Sequence, residues 1–342
     1  MELPYGLSEL RATRCITESH VRCHVAGCGH TVARQRKVFV ASDACLCPHH
    51  GGFLSPSTYQ YQCQWRNLLW QDDSDRALLR AIEPVKRTMA RLGRERDEDA
   101  LTWNVVRAFQ REGRARRLVK VLLGGRLPDA CREREPSVIY WGAHGDGGPW
   151  EPLARAQCLF QEMPGRGSEP DVLFWWPDQC LAVVEAKFCT SNETRPSAKP
   201  AGDDPRPKAY GGSDHFQRVF RASYDEITCQ DAKYELMRLW LLGSWIAQEH
   251  GASFYLVNLV RQAENGDIVT RFGARCVLAP DRTLMRATWE SIWEALPASD
   301  LPEGTAATLD RYFADKSAGY GADGSLQRAF TPAGRRGVPA PQ

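Results

Sequence analysis

Two carboxylates and a lysine lie at the ends of two apolar stretches in the middle of the chain. Asp171 precedes the apolar run 172–176, and Glu185 and Lys187 end the run 181–187. Alternate side chains of an extended chain share a face, so Glu185 and Lys187 project to the same side, and a hairpin would bring Asp171 beside them. Such charges are costly at the edge of a buried strand unless they are paired, bind a metal or have a function. Carboxylate oxygens suit a hard cation such as Mg²⁺, which can supply an activated water and contact a phosphate.

A second group of ligand-type residues lies near the N-terminal end. Cys23 and Cys28 are separated by four residues, and Cys47 and His50 follow with two residues between them. This spacing is typical of a tetrahedral structural zinc site, in which four protein ligands leave no open coordination position. We therefore predict that zinc here serves folding rather than catalysis. The fourth ligand stays open at this point, because other thiols and imidazoles lie within reach: His20, His24, His30, Cys45 and His49.

Basic and aromatic residues supply candidates for nucleic-acid contacts. The densest basic run covers residues 111–120, in which Arg114 and Arg117 could contact phosphates; a solvated helix end is the alternative. The formal net charge is only +2, so no overall basic field indicates a nucleic-acid partner. The sequence contains no G-x-S-x-G or H-E-x-x-H motif, which removes common hydrolase alternatives. Four tryptophans could stack on bases, although tryptophans beside apolar runs are more typical of a core: Trp65, Trp70, Trp175 and Trp176.

The spacing of apolar residues predicts the elements that would position these groups. Strands and helices alternate along the middle of the chain, which is typical of an α/β protein. Residues 190–214 are dense in Pro, Gly, Ser and charged residues, and we predict a long loop there. The predicted strands cover 171–176, 181–187 and 253–260, and the predicted helices cover 72–92, 97–110, 231–249, 282–295 and 306–313.

The carboxylates and the lysine resemble the motif of the PD-(D/E)xK nuclease superfamily. Pro170-Asp171 and, after thirteen intervening residues, Glu185-Ala186-Lys187 match it. The resemblance implies an α/β fold with a restriction-endonuclease-like core, a central mixed sheet flanked by helices. It also implies that Asp171 and Glu185 hold Mg²⁺ or Mn²⁺, that the carbonyl of Ala186 adds a ligand, and that Lys187 positions or activates the attacking water.

Two helices would complete the site that this resemblance implies. Glu98, on a helix before the sheet, is the implied third acidic ligand, and Asp99 is its neighbouring alternative. The helix over 233–240 is similar to the helix that follows the sheet in many of these nucleases. Its Tyr234 and Arg238 share a face through their four-residue spacing and could contact phosphate. The alternative is that Arg238 pairs with a nearby acid while the aromatic residues pack in the core.

The N-terminal segment carries a further resemblance. Residues 47–58 are similar to the start of a bacterial PD-(D/E)xK group that also has an acidic-Trp-Asn helix like residues 98–104. The organisation that we predict is a zinc-binding segment over 1–70, a nuclease domain over 71–318 and a disordered tail over 319–342, where Gly, Pro and Arg dominate.

We expect a magnesium-dependent deoxyribonuclease with structural zinc. The start of the chain has no signal-peptide pattern and its apolar runs are short, so we expect a cytoplasmic protein without a membrane partner. DNA is favoured over RNA by the resemblance alone. A role in restriction or defence, as a homodimer or beside a partner subunit, is an analogy at the level of the fold. Two other classes stay open: a catalytically silent nucleic-acid-binding module of the same fold, and a structural or partner-binding protein whose carboxylates merely pair with Lys187 and nearby arginines.

Overall fold

The chain divides into two compact units in a computed structural model that describes residues 9–35, 39–86, 91–162, 167–197, 205–264 and 266–331. The predicted division into 1–70, 71–318 and 319–342 is contiguous, whereas each unit joins stretches that are distant in sequence. The first unit comprises Met1–Asp73, Ala90–Ala108 and Trp293–Gln342, and the second comprises Ser74–Met89 and Phe109–Ile292.

Five short strands come first in the described chain, and helices and strands are interspersed after them. Among the described residues, no helix has both the length and the apolar character that crossing a membrane requires. The strands are β1 His20–Arg22, β2 Thr31–Ala33, β3 Leu46–Cys47, β4 Gly52–Leu54, β5 Tyr59–Tyr61, β6 Ser137–Tyr140, β7 Val172–Trp176, β8 Cys180–Ala186, β9 Ser253–Val260, β10 Arg282–Thr288, β11 Ser317–Tyr320 and β12 Leu326–Arg328. The α-helices are α1 Asp73–Ile82, α2 Glu98–Arg111, α3 Ala115–Leu122, α4 Glu151–Leu159, α5 Asp214–Val219, α6 Tyr234–Glu249, α7 Ile268–Arg271, α8 Trp289–Ala295 and α9 Glu303–Asp315.

A five-stranded mixed sheet forms the centre of the second unit. Its strand order is β10-β9-β8-β7-β6; β8, β9 and β10 are parallel, and β6, β7 and β8 are antiparallel. Helices flank it, with α6 packed against β8 and β9, and α3 and α7 packed against β10. The predicted α/β architecture with a central mixed sheet flanked by helices is confirmed at this level.

The apolar runs of β7, β8 and β9 follow from their central position. Every residue of β7 and β8 is buried, as expected for strands that are covered on both faces and therefore do not alternate apolar with polar residues. The turn between β7 and β8 places Asp178 in the left-handed region with φ 59°, a conformation that Asp tolerates better than most residues. The predicted strands at 171–176, 181–187 and 253–260 are confirmed to within a residue at each end.

The prediction of a helix over 282–295 is wrong for its first half. Residues 282–288 form β10, which pairs with β9 along its whole length, from Arg282 opposite Phe254 to Thr288 opposite Val260. The buried positions of β10, Leu284 and Ala287, lie three residues apart, so their spacing imitates a helix.

Other predicted elements also differ in length, among them the helix predicted over 306–313, which is observed as Glu303–Asp315. The helix predicted over 72–92 ends at Ile82 and continues as a 3₁₀ turn, Glu83–Val85, because Pro84 lacks the amide hydrogen of another α-helical turn; residues 87–90 lie outside the described residues. The loop predicted over 190–214 contains a short helical turn of the π type, Pro207–Gly211, and residues 198–204 lie outside the description.

Small sheets build the first unit: the hairpin β1–β2, the three-stranded sheet β3-β4-β5 and the hairpin β11–β12. The prediction of a disordered tail is therefore wrong for residues 319–331, whereas residues 332–342 lie outside the described part of the chain. Gly319 has φ 96°, and a Cβ there would overlap the carbonyl oxygen of Ser57. Its glycine thus permits a close backbone approach and does not indicate disorder.

Candidate functional site

The antiparallel pairing of β7 and β8 brings Asp171 and Glu185 together. Val172 lies opposite Val184, so Asp171, one residue before β7, lies opposite Glu185. The Oδ2 atom of Asp171 accepts a hydrogen bond from the backbone N–H of Ala186 at 2.7 Å. Both carboxylates are buried, with 9% and 4% of the residue exposed. The two groups therefore converge at one end of the hairpin, as the sequence predicted.

Lys187 lies on the same side as Glu185 and contacts it. Its Nζ atom is 2.5 Å from Oε1 of Glu185. The backbone of Lys187 is held on both sides, because its N–H donates to the carbonyl of Leu259 at 2.8 Å and its carbonyl accepts from the indole of Trp289 at 3.1 Å. These bonds keep the chain extended one residue beyond β8, so the two-residue spacing places both side chains on one face.

The carboxylates make this end of the sheet a place that favours positive charge. Burial raises the pKa of Glu185 well above its usual range; Lys187 opposes this shift, and the charges of Asp171 and Glu235 add to it. A carboxyl group in such surroundings binds either a proton or a cation more readily than it would in water. Carboxylates of this kind could hold a hard divalent ion.

The other predicted ligands of this site lie as follows. Ala186 is the last residue of β8, and its N–H is used by Asp171. Glu98 is the first residue of α2 and belongs to the first unit. Asp99 accepts a hydrogen bond from the backbone N–H of Arg91 at 3.0 Å. Of the predicted residues, the second unit brings together Asp171, Glu185 and Lys187, and metal binding by Glu98 or by the carbonyl of Ala186 stays a prediction.

Arg238 forms a buried ion pair. Its Nε donates to Oε1 of Glu162 at 2.9 Å, and the same oxygen accepts from the hydroxyls of Tyr210 at 2.9 Å and Ser168 at 2.8 Å. Burial by itself lowers the pKa of Arg238, but Glu162 holds it above its ordinary value. The guanidinium also lies 5.1 Å from the ring centre of Tyr234. The structure thus gives Arg238 the acidic partner that the alternative interpretation required, and phosphate contact by Tyr234 and Arg238 stays a prediction.

Arg117 borders a basic cavity beside α3. Arg114 directly precedes this helix and donates to the carbonyl of Gly113 at 3.1 Å. Arg132 pairs with Asp129 at 2.8 Å, so part of the positive charge is compensated locally. The cavity has a volume of about 430 Å³ and is lined by Arg116, Arg117, Lys120, Gly125, Leu127, Arg132 and Glu133.

Three cysteines and a histidine converge in the first unit. The Sγ atoms of Cys23, Cys28 and Cys47 and a ring nitrogen of His50 all lie within 4.8 Å of one another. Nδ1 of His50 is 3.6 Å from the sulfurs of Cys23 and Cys47, and the sulfurs of Cys28 and Cys47 are 4.0 Å apart. Zinc–sulfur bonds of about 2.3 Å and zinc–nitrogen bonds of about 2.0 Å in a tetrahedron imply sulfur–sulfur edges of about 3.8 Å and sulfur–nitrogen edges of about 3.5 Å. The four residues could therefore hold a metal ion such as zinc.

The geometry distinguishes among the other imidazoles and thiols. His24 is fully buried and stacks on Tyr59 at 3.9 Å; burial first, and then Arg14, lowers its pKa to about 3. The sulfur of Cys45 donates to the carbonyl of Ala33 at 3.7 Å. His20 contacts Ser19, and His30 packs against His49. Among the described residues, the predicted set Cys23, Cys28, Cys47 and His50 is the one whose ligand atoms converge.

Two carboxylates at the sheet were not singled out from the sequence. Glu235 lies 3.3 Å from Lys187, and Glu162 binds Arg238. Glu235 follows Tyr234 directly, in the first turn of the helix that was already considered, and that position was the available signal. For Glu162 the sequence holds no comparable signal, since it lies in a connection between α4 and β7.

The interpretation of these sites rests on their geometry, because comparisons with known proteins found no match. No protein-family model matches the chain, and neither a curated protein nor a solved structure is significantly similar to it.

Proposed function

We propose that the chain is a metal-dependent nuclease of the PD-(D/E)xK type, which hydrolyses phosphodiester bonds in DNA within a restriction-endonuclease-like core. The observation that carries the proposal is the meeting of Asp171 and Glu185 on paired strands, with Lys187 on Glu185. Two carboxylates and an ammonium at one sheet end are the groups that such hydrolysis needs.

The chain's own residues would divide the work in the following way. Asp171 and Glu185 would hold Mg²⁺ or Mn²⁺, with the carbonyl of Ala186 as a further oxygen ligand. The bound cation would supply a polarised water and offset charge on the phosphate. Lys187, fixed by its backbone bonds to β9 and to Trp289, would as an ammonium orient that water and offset the negative charge that develops on it as its proton passes to solvent.

The cysteine–histidine group would serve the fold of the first unit. We infer that it binds zinc structurally, because four protein ligands lie close enough together to fill all four positions of a tetrahedral zinc ion. Burial raises the pKa of the Cys23 and Cys47 thiols, so zinc binding would have to displace their protons.

The basic cavity beside α3 is the surface that we propose for the DNA backbone. Arg117 and its basic neighbours present ammonium and guanidinium groups of the kind that contact phosphates without reading sequence.

Cleavage of plasmid and linear DNA by the zinc-loaded protein, with and without Mg²⁺, tests the proposal. We expect Mg²⁺-dependent cutting, and we expect Lys187→Ala to reduce the rate by about 100-fold or more, the scale of losing one group that stabilises developing charge. Lys208→Ala, which removes a lysine that is exposed, is the matched control and should cut like the unchanged protein.

Equal cutting by Lys187→Ala and by the unchanged protein would remove Lys187 from the mechanism. DNA binding without cutting at any Mg²⁺ or Mn²⁺ concentration would favour the catalytically silent binding module instead.

A further inference from the structure

Glu235 is a carboxylate outside the motif that contacts the motif lysine. Its Oε2 atom is 3.3 Å from Nζ of Lys187, which is also 2.5 Å from Oε1 of Glu185. The side chain of Glu185 is 5% exposed and that of Glu235 is 44% exposed, although the Oε2 atom of Glu235 is itself buried. The ammonium therefore lies between a carboxylate of the sheet and a carboxylate of α6.

The start of α6 holds Glu235 at this place. The backbone N–H of Glu235 donates to Oγ1 of Thr194 at 2.9 Å, and that of Tyr234 donates to the carbonyl of Thr194 at 3.0 Å. Thr194 in turn donates its own N–H to the carbonyl of Ala232 at 2.8 Å. The segment that leaves β8 is thus tied to the first turn of α6, which fixes the distance between the helix carboxylate and the strand end.

This inference rests on the proposed function, in which Glu185 binds a divalent cation although its Oε1 atom already contacts the ammonium of Lys187. An oxygen that holds an ammonium at 2.5 Å attracts a divalent ion less strongly, because the two cations repel each other. When ionised, three carboxylates and one lysine carry two net negative charges, which match one divalent ion. The ligand oxygens of Asp171, Glu185 and Glu235 do not all lie within 4.8 Å of one another, so Glu235 is better placed to hold the lysine than to act as a third ligand.

We propose that Glu235 is the positioning residue for Lys187. The carboxylate of Glu235 keeps its contact with the ammonium of Lys187 when the carboxylate of Glu185 turns toward a divalent cation. Lys187 then stays beside the cation at a fixed place, and Glu185 is released without leaving an unpaired ammonium in a mostly buried position.

A double-mutant cycle on cation affinity tests this proposal without DNA. Mn²⁺ binding to the zinc-loaded protein is measured by electron paramagnetic resonance for the unchanged chain, Glu235→Gln, Lys187→Met and the double variant. We expect Glu235→Gln to weaken Mn²⁺ binding about fivefold, the scale of an ion pair with one exposed partner. In the Lys187→Met background the same change should have an effect of less than about twofold, because the coupling passes through Lys187.

Two further variants separate positioning from mere charge. Glu249→Gln removes a carboxylate from the exposed end of α6 and should leave Mn²⁺ affinity within about twofold. Glu235→Asp keeps the charge and should recover part of the affinity that Glu235→Gln loses.

Each outcome bears on the proposal. An equal loss in both backgrounds would make Glu235 a ligand or a distant charge and would overturn it, as would an unchanged affinity or an unchanged chain that binds no Mn²⁺. A Lys187-dependent loss in a protein that does not cut DNA would support the positioning role and count against the nuclease. DNA cutting together with an effect of Glu235→Gln that does not depend on Lys187 would support the nuclease and count against the positioning role.

Discussion

Glu162 is a buried acid that organises its surroundings at the scale of single residues. Its carboxylate, 1% exposed, binds Arg238, Tyr210 and both the hydroxyl and the backbone N–H of Ser168. A buried carboxylate with this many donors is stable only while its whole network of partners is present. Removal of the charged partner leaves a buried charge without compensation.

Arg238→Met should therefore destabilise the protein strongly. The variant leaves Glu162 buried without its cation, and we expect the free energy of unfolding to fall by about 3–5 kcal/mol in urea titrations. Adding Glu162→Gln should restore part of that loss, because the unpaired charge is then gone. Arg271→Met is the matched control: its side chain is 61% exposed and pairs with Asp267, so we expect a change of about 1 kcal/mol or less.

The same variants test the predicted phosphate contact of Arg238. If Arg238→Met left stability unchanged and weakened DNA binding, the structural role would be contradicted and the phosphate contact supported.

At the scale of elements, α6 approaches β9 through a glycine. A Cβ on Gly243 would lie 2.6 Å from Cζ of Phe254 and closer still to its Cε2, so the ring occupies the space that any other residue would need. The ring of Phe254 also packs against Trp240 of the same helix at 5.4 Å. This contact sets how closely the helix that carries Glu235 lies on the sheet that carries Glu185.

Gly243→Ala should destabilise the protein although alanine is the better helix former. Helix propensity favours the change by about 1 kcal/mol, but overpacking typically costs about 1–3 kcal/mol, so we expect a net loss in thermal or urea unfolding. Phe254→Leu in the same chain should relieve the overlap and recover part of the stability.

Gly304→Ala serves as the comparison within a helix. A Cβ at Gly304, the second residue of α9, meets nothing within 4 Å, so this change should be neutral or stabilising by up to about 1 kcal/mol. Equal effects at Gly304 and Gly243 would show that the packing of α6 on Phe254 is not the reason.

The sequence was sufficient to predict the strands that are buried on both faces of the sheet. β7, β8 and β9 are covered on both faces, so unbroken apolar runs marked them, and strand alternation was enough to place Glu185 and Lys187 on one side. It failed at β10, whose two buried positions lie three residues apart as in a helix. The partners Glu162 and Glu235 depend on contacts between elements distant in the chain, and no local pattern encodes them.

At the scale of the whole molecule, the first unit joins three stretches of chain, and one of its apolar clusters is small. That cluster includes the candidate ligands Cys23 and Cys47 beside Val21, Tyr59 and Tyr61. A fully buried ion pair, Lys316 to Glu95 at 2.9 Å, joins two of the stretches. A cluster of this size offers limited apolar burial, and a structural metal is a common supplement.

Loss of one zinc ligand should loosen this unit. We expect the unchanged chain to bind about one zinc ion, and Cys28→Ser to bind it far more weakly, because a structural site draws on all four ligands. Hydrogen exchange should then accelerate in β1 to β5 and in the hairpin β11–β12. Exchange in the five-stranded sheet, whose hydrogen bonds form within the second unit, is the internal reference.

Cys63→Ser provides the matched control, since Cys63 is an exposed thiol of the same unit outside the cluster. It should keep both the zinc and the exchange pattern of the unchanged chain. A variant is preferable to a chelator, because a chelator would also remove the divalent ion proposed for Asp171 and Glu185. If Cys28→Ser lost zinc while exchange in β1 to β5 stayed slow, the metal would not be supporting the fold, and the cluster would need another function.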